Sequence, residues 1–138
     1  MVIRRAEIVI GRPADAVWAR VGDFGDISWV PGAGACTRDG DVRSISKPEW
    51  DFVLVQRLEQ HDDITRTFSY TLPHELNLES ILGPGKIVRV MNGTLTVTPS
   101  GESRSFVTWD IDTEVFNVER ARAEYQGALE SVKAELEG

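Results

Sequence analysis

Arg43, Tyr70 and Tyr125 are the side chains of this sequence that could act on a small molecule. A guanidinium and two phenols can polarise a carbonyl or pass a proton if the fold brings them together. An arginine on the inner face of a sheet is costly unless it is paired or faces a wet pocket. The plainer expectation for Arg43 is a structural ion pair with Asp23 or Glu59. A buried phenol needs a polar partner, which a ligand or water can supply, so Tyr70 and Tyr125 serve either a pocket or the core. Other chemistry is poorly represented. There is no glycine-rich phosphate loop and no His-Glu-x-x-His pair. His61 and His74 have no cluster of ligand residues around them, so neither a metal nor a cofactor is expected. Cys36 is the single cysteine, which excludes an internal disulfide, and it reads as a small buried strand residue rather than a nucleophile. Asp110, Asp112 and Glu114 alternate on one strand face and read as a solvated edge.

The elements that must position these groups follow from periodicity. Residues 3–10 alternate as a strand, with Ile8 and Ile10 on one face and Glu7 and Val9 on the other. Pro13 suits the start of a helix, and Ala14, Val17, Trp18 and Val21 form its apolar stripe. A second short helical turn holds Phe24, Ile27, Trp29 and Val30 and stops at Pro31-Gly32. From residue 34 the period changes to two. Residues 34–38 and 42–46 flank Asp39-Gly40, a hairpin turn. Strands are then expected at 50–60, 64–72, 90–98 and 104–114, spaced as an antiparallel meander. The stretch 73–89, with Gly83-Pro84-Gly85 inside it, has the length of a functional or a mobile loop, and with Lys47-Pro48-Glu49-Trp50 it is expected to border a cavity mouth. Residues 117–137 form the clearest helix, with Asn117 as N-cap. Its stripe is Val118, Ala121, Tyr125, Ala128, Leu129, Val132 and Leu136, and its length of about 30 Å is enough to cross a sheet.

Alternation sorts the faces. Phe68, Tyr70 and Leu72 share one face, as do Met91, Gly93, Leu95 and Val97, and Val107, Trp109 and Ile111. That dry face should receive the C-terminal helix. A sheet curved around a helix leaves space, and Gly93 on the inner face removes volume. Tyr70, Met91, Gly93, Leu95, Trp109, Tyr125 and Arg43 are therefore expected to line an apolar cavity. Large aromatics also dominate ordinary cores, and Trp18 and Trp109 fit that description equally.

The totals agree with one domain over residues 1–138. Hydrophobic residues make up 41% and charged residues 27%, ordinary for a globular chain. The formal net charge of -7 disfavours nucleic acid and anionic membrane surfaces as partners. No run of about 18 apolar residues could cross a membrane, so no integral membrane association is expected. Residues 1–7 are charged too early for a signal-peptide core. With one cysteine, a reducing cytoplasm is the expectation; a monomer or homodimer is expected as well.

Val17-Trp18, Val21-Gly22-Asp23-Phe24-Gly25, Ile27 and Trp29-Val30-Pro31-Gly32 come in an order that resembles the polyketide cyclase/dehydrase and lipid-transport family. This group belongs to the START-related, pollen-allergen-like SRPBCC superfamily. Gly40 and Val42-Arg43 are similar to its glycine turn and strand, and Arg57-Leu58-Glu59 with Asp62-Asp63 to its strand ending. Phe68-Ser69-Tyr70, Thr94-Leu95-Thr96-Val97-Thr98-Pro99 and Val107-Thr108-Trp109 complete the set. The resemblance implies an α+β helix-grip fold. In it a curved seven-stranded antiparallel sheet wraps a long C-terminal helix, with two short helices after the first strand. It implies a small hydrophobic ligand such as a lipid, polyketide or aromatic compound. A cyclase or dehydratase, or an interaction module with a filled cavity, are the alternatives. Gln56 departs from the pattern, because many relatives carry Glu there, and an amide cannot act as acid or base.

Overall fold

A computed structural model describes residues 2–113 and 118–138. Asn117, expected as a helix cap, and Glu114 lie outside them. The elements run β1 Val2–Ile10, α1 Ala14–Val21, β2 Ala35–Asp39, β3 Val42–Ser46, β4 Leu54–Asp62 and β5 Thr67–Thr71. They continue with β6 Leu76–Asn77, α2 Glu79–Leu82, β7 Ile87–Val88, β8 Met91–Pro99, β9 Ser105–Thr113 and α3 Val118–Glu137. Seven strands form one antiparallel sheet in the order β1-β9-β8-β5-β4-β3-β2, while β6 and β7 form a separate ladder. This is the helix-grip arrangement. A break in register between Leu58 and Gln60, where β4 pairs with β5, is a bulge of the kind that bends a strand.

The local chemistry explains the boundaries. Gly40 adopts φ +61° in the β2–β3 turn, a conformation that glycine enters without strain. Pro13 precedes α1 and its carbonyl accepts from Ala16 N–H at 3.0 Å, and α1 buries Ala14, Val17, Trp18 and Val21. The second helical turn is not a helix. Phe24 to Val30 is held by successive four-residue turns, with Asp26 N–H donating to Asp23 O and Val30 N–H to Ile27 O. The side chains of Asp23 and Asp26 accept from Gly25 and Ser28 N–H, and these local bonds compete with a helical ladder. Strand β4 begins at Leu54, later than its apolar residues suggest, and residues 50–53 form a loop in which Trp50 and Phe52 stack at 4.7 Å.

The core runs under α1 and along α3. Val17, Phe24, Phe68, Leu95, Val97, Val107, Ala128, Leu129 and Val132 are buried together. Helix α3 lies mainly against β1, an edge strand. Its side chains satisfy that edge. Gln126 donates to Glu7 O at 2.9 Å and accepts from Glu7 N–H at 3.0 Å, Lys133 donates to Val9 O at 3.0 Å, and Glu137 accepts from Gly11 N–H at 2.6 Å. Over residues 7–11 these bonds occupy backbone groups that an exposed edge would offer to another chain. Leu129 is wholly buried where α3 meets the sheet. Leu129→Ala should cost about 2–5 kcal/mol in a urea titration. A loss well below 1 kcal/mol would mean that α3 does not seal this core.

Candidate functional site

Because α3 sits toward β1, the inner face of β3, β4 and β5 is not fully covered by it. A cavity of about 670 Å³ lies there. Arg43 and Ile45 of β3, Leu54 and Gln56 of β4, and Tyr70 of β5 form its sheet wall. Met91 and Trp109 come from β8 and β9, and Ala121, Tyr125 and Gly127 from α3. Ile27, Val30, Pro31 and Ala33 close one side from the turn segment. Lys47, Trp50 and Phe52 add the loop before β4, and Leu76 and Leu78 the segment before α2. That loop and α2 are tied together by Ser80 Oγ donating to Asp51 at 2.7 Å. The glycine tip Gly83-Pro84-Gly85 is not part of the wall. A second depression, on the outer sheet face, is lined throughout by polar and charged residues and spanned by the Arg5–Asp110 ion pair at 2.7 Å. It has no wall suited to an apolar molecule.

Five of the seven residues expected at the cavity line it: Arg43, Tyr70, Met91, Trp109 and Tyr125. Gly93 and Leu95 do not. Leu95 is wholly buried in the packed core, in register between Phe68 and Trp109. Gly93 makes room for protein rather than for ligand. A Cβ placed on it would stand 2.2 Å from Tyr70 Cζ, so the volume the glycine vacates is occupied by that ring. Sequence reasoning missed several lining residues, among them Ile27, Ile45, Phe52 and Leu54, and also Gly127, which was not on the apolar stripe. It stands in mid-helix on the wall, and a Cβ built there meets nothing within 4 Å. A lone glycine inside a strong helical pattern costs stability without a local reason, and that was the available signal.

The inner end of the cavity carries the polar groups. Arg43 is 5% exposed. Its Nε donates to Gln56 Oε1 at 2.8 Å and its Nη1 to Phe24 O at 2.9 Å. Its guanidinium lies 4.1 Å from the Phe24 ring centre and 5.2 Å from that of Tyr70, within cation–π range. The expected ion pair is absent. Asp23 faces Arg38 at 3.9 Å, and Glu59 is held by Arg57 at 2.9 Å and by Thr71. Both lie on the polar side of their strands or turns, while Arg43 points inward. Burial lowers the Arg43 pKa from its ordinary value, with Tyr70 opposing that shift. Trp109 Nε1 donates to the Tyr70 hydroxyl at 3.1 Å, and the Trp109 ring stacks on Tyr125 at 4.1 Å. Burial pushes the Tyr70 phenol up, and burial with Tyr70 beside it pushes Tyr125 well above the ordinary range. Both phenols are thus held protonated.

The remaining candidates are elsewhere. His61 contacts Gly22 O at 2.8 Å and lies beside the Trp18 ring. Trp18 Nε1 donates to Asp63 at 2.8 Å, so this indole is a core residue with a satisfied polar edge. Cys36 is half-buried, and burial pushes its thiol up, away from the reactive thiolate. Among the described residues no group of three His, Cys, Asp or Glu could hold a metal ion. Among them, too, no helix is long and apolar enough to cross a membrane.

The family model for polyketide cyclase / dehydrase and lipid transport matches residues 1–137. The chain belongs to that family. Solved structures share the fold of this family member. A protein from Bacillus thuringiensis superposes with a TM-score of 0.80 at 19% identity, covering 99% of this chain and 100% of the other. A START superfamily protein from Mycobacterium smegmatis reaches 0.71 at 14% identity, covering 98% and 97%. The di-domain ARO/CYC BexL, from the BE-7585A biosynthetic pathway, reaches 0.75 at 18% identity, and the match spans 99% of this chain and 47% of BexL. A search of curated proteins finds no match.

Proposed function

We propose that this protein binds and carries a small, mostly apolar molecule in the cavity between the sheet and α3. The observation that carries this reading is the cavity itself. Its volume of about 670 Å³ falls in the range of drug-sized ligand sites, and its wall is largely aromatic and aliphatic, with Arg43, Gln56 and Tyr70 at the inner end and Lys47 and Glu124 as its other charged groups. A protein-interaction module would fill that volume with its own side chains. The wall also favours a carrier over a catalyst of proton transfer. Among the described residues its one carboxylate, Glu124, is exposed and pairs with Arg120 at 3.6 Å. The two phenols do not release protons near neutral pH, and no imidazole lines the wall. The bound molecule of the family name, a lipid or polyketide, suits such a wall in apolar area.

A neutral, environment-sensitive dye such as Nile red tests the reading. It should bind the folded protein at one saturable site and change tryptophan emission, because Trp50 and Trp109 stand in the wall. A linear, non-saturating signal would overturn it.

A further inference from the structure

Among the described residues, the polar end of the cavity holds the hydrogen-bond donors of Arg43 and Tyr70 and no negative charge. Arg43 is the decisive group. It is a buried cation that forms no ion pair with the described residues, and its hydrogen bonds go to a neutral amide and a backbone carbonyl. A guanidinium has five N–H donors. The two bonds above use Nε and Nη1, so Nη2 makes none with the described residues, on a side chain that lines the cavity. The π faces of Phe24 and Tyr70 offset part of the desolvation cost but do not neutralise the charge. Tyr70 adds to the same bias. Its oxygen already accepts from Trp109 Nε1 and is hydrogen-bonded to the neighbouring Tyr125 hydroxyl; with Tyr125 as the donor, the Tyr70 proton is left to donate. Gln56 explains why the charge stays uncompensated. It occupies the place from which a carboxylate of the same shape would pair with Arg43 Nε, and it supplies only an amide oxygen.

We propose that the cavity is built for an apolar molecule ending in a carboxylate, with Arg43 Nη2 and the Tyr70 hydroxyl receiving the acid oxygens. This rests on the carrier reading above and names its ligand class. The carboxylate would complete the buried ion pair that the protein leaves half-made, and a charge-assisted N–H···O bond is roughly twice as strong as a neutral one. The apolar body would lie along Trp50, Phe52, Trp109 and Ile45. A fused-ring acid and a straight-chain acid share this chemistry.

The test compares acids with their own amides at pH 7: 2-naphthoate with 2-naphthamide, and dodecanoate with dodecanamide, each competing against Nile red. At least one acid should bind roughly tenfold to a hundredfold more tightly than its amide. The ring or chain pair that shows the preference identifies the body. Gln56→Glu should erase the preference, because its carboxylate would neutralise Arg43 without changing side-chain shape. Arg43→Met should do the same, and Gln56→Glu keeps the test decisive if Arg43→Met does not fold. Equal binding of acid and amide by the parent, or a preference that survives Gln56→Glu, overturns the assignment. If Nile red binds saturably while neither acid shows a preference, the carrier reading stands and the acid assignment falls. If Nile red itself fails to saturate, both fall.

Discussion

Gly127→Leu should reduce binding of Nile red by at least about tenfold while leaving the protein as stable as the parent or more so. Two properties of this position act in the same direction. A Cβ there enters open space, and the residue belongs to the cavity wall, so a leucine side chain extends into the volume the ligand needs. The helix meanwhile gains. Glycine in a helix interior costs up to about 1 kcal/mol relative to a good helix former, and α3 continues for ten residues past this point. Thermal melting should therefore rise or hold while the dye titration flattens. Gly127→Ala separates the two effects, because it removes the propensity cost and adds only one methyl group. It should raise the melting temperature and weaken binding little. A leucine variant that binds the dye as well as the parent would place the binding site outside this cavity. One that melts many degrees lower would mean that the space beside α3 is already filled.

Gly93→Ala should behave in the opposite way, lowering stability by about 1–3 kcal/mol or more. The added methyl would lie 2.2 Å from Tyr70 Cζ and 2.3 Å from its hydroxyl oxygen, both well inside contact distance. A flexible surface side chain would swing aside, but Tyr70 is 1% exposed, held by Trp109 Nε1 and packed near Phe24 and Phe68. Either the ring moves and loses its hydrogen bond, or β5 and β8 separate where Tyr70 and Gly93 are paired. Denaturant unfolding and near-ultraviolet circular dichroism would report the loss. A variant as stable as the parent would mean that the Tyr70 ring has a second place to go, and that the polar end of the cavity is looser than its hydrogen bonds imply.

The contrast between these two glycines shows where sequence reasoning reaches its limit. Both interrupt regular elements, and both remove volume. Alternation put Gly93 on the inner face correctly, but a pattern along one strand cannot say whether the vacated space belongs to a ligand or to Tyr70 on the neighbouring strand. Gly127 lay off the apolar stripe and so escaped notice, since a stripe records the face that packs and not the flank that stays empty. Arg43 taught the same lesson in charge. It was expected on the cavity wall and stands there, whereas the expected carboxylate partners were engaged elsewhere, Asp23 facing Arg38 and Glu59 bonded to Arg57 and Thr71.

The sequence by itself determined the elements and their dry faces. It decided the meander of strands, α1 with its four buried residues, the long last helix, and the membership of Tyr70, Met91, Trp109 and Tyr125 in one inward set. These follow from period-two and period-3.6 patterns, which are local properties of the chain. Tertiary structure alone decided three further things. Helix α3 seats over β1, where Gln126, Lys133 and Glu137 satisfy the edge, and so leaves the inner face of β3 to β5 open. The loop with Trp50 and Phe52 joins Leu76 and Leu78 over that opening. Arg43 is buried with neutral partners at the inner end. Each of these depends on residues far apart in the chain meeting across a curved sheet. The curvature and the seat of the helix set those meetings through packing, which no one-dimensional pattern encodes.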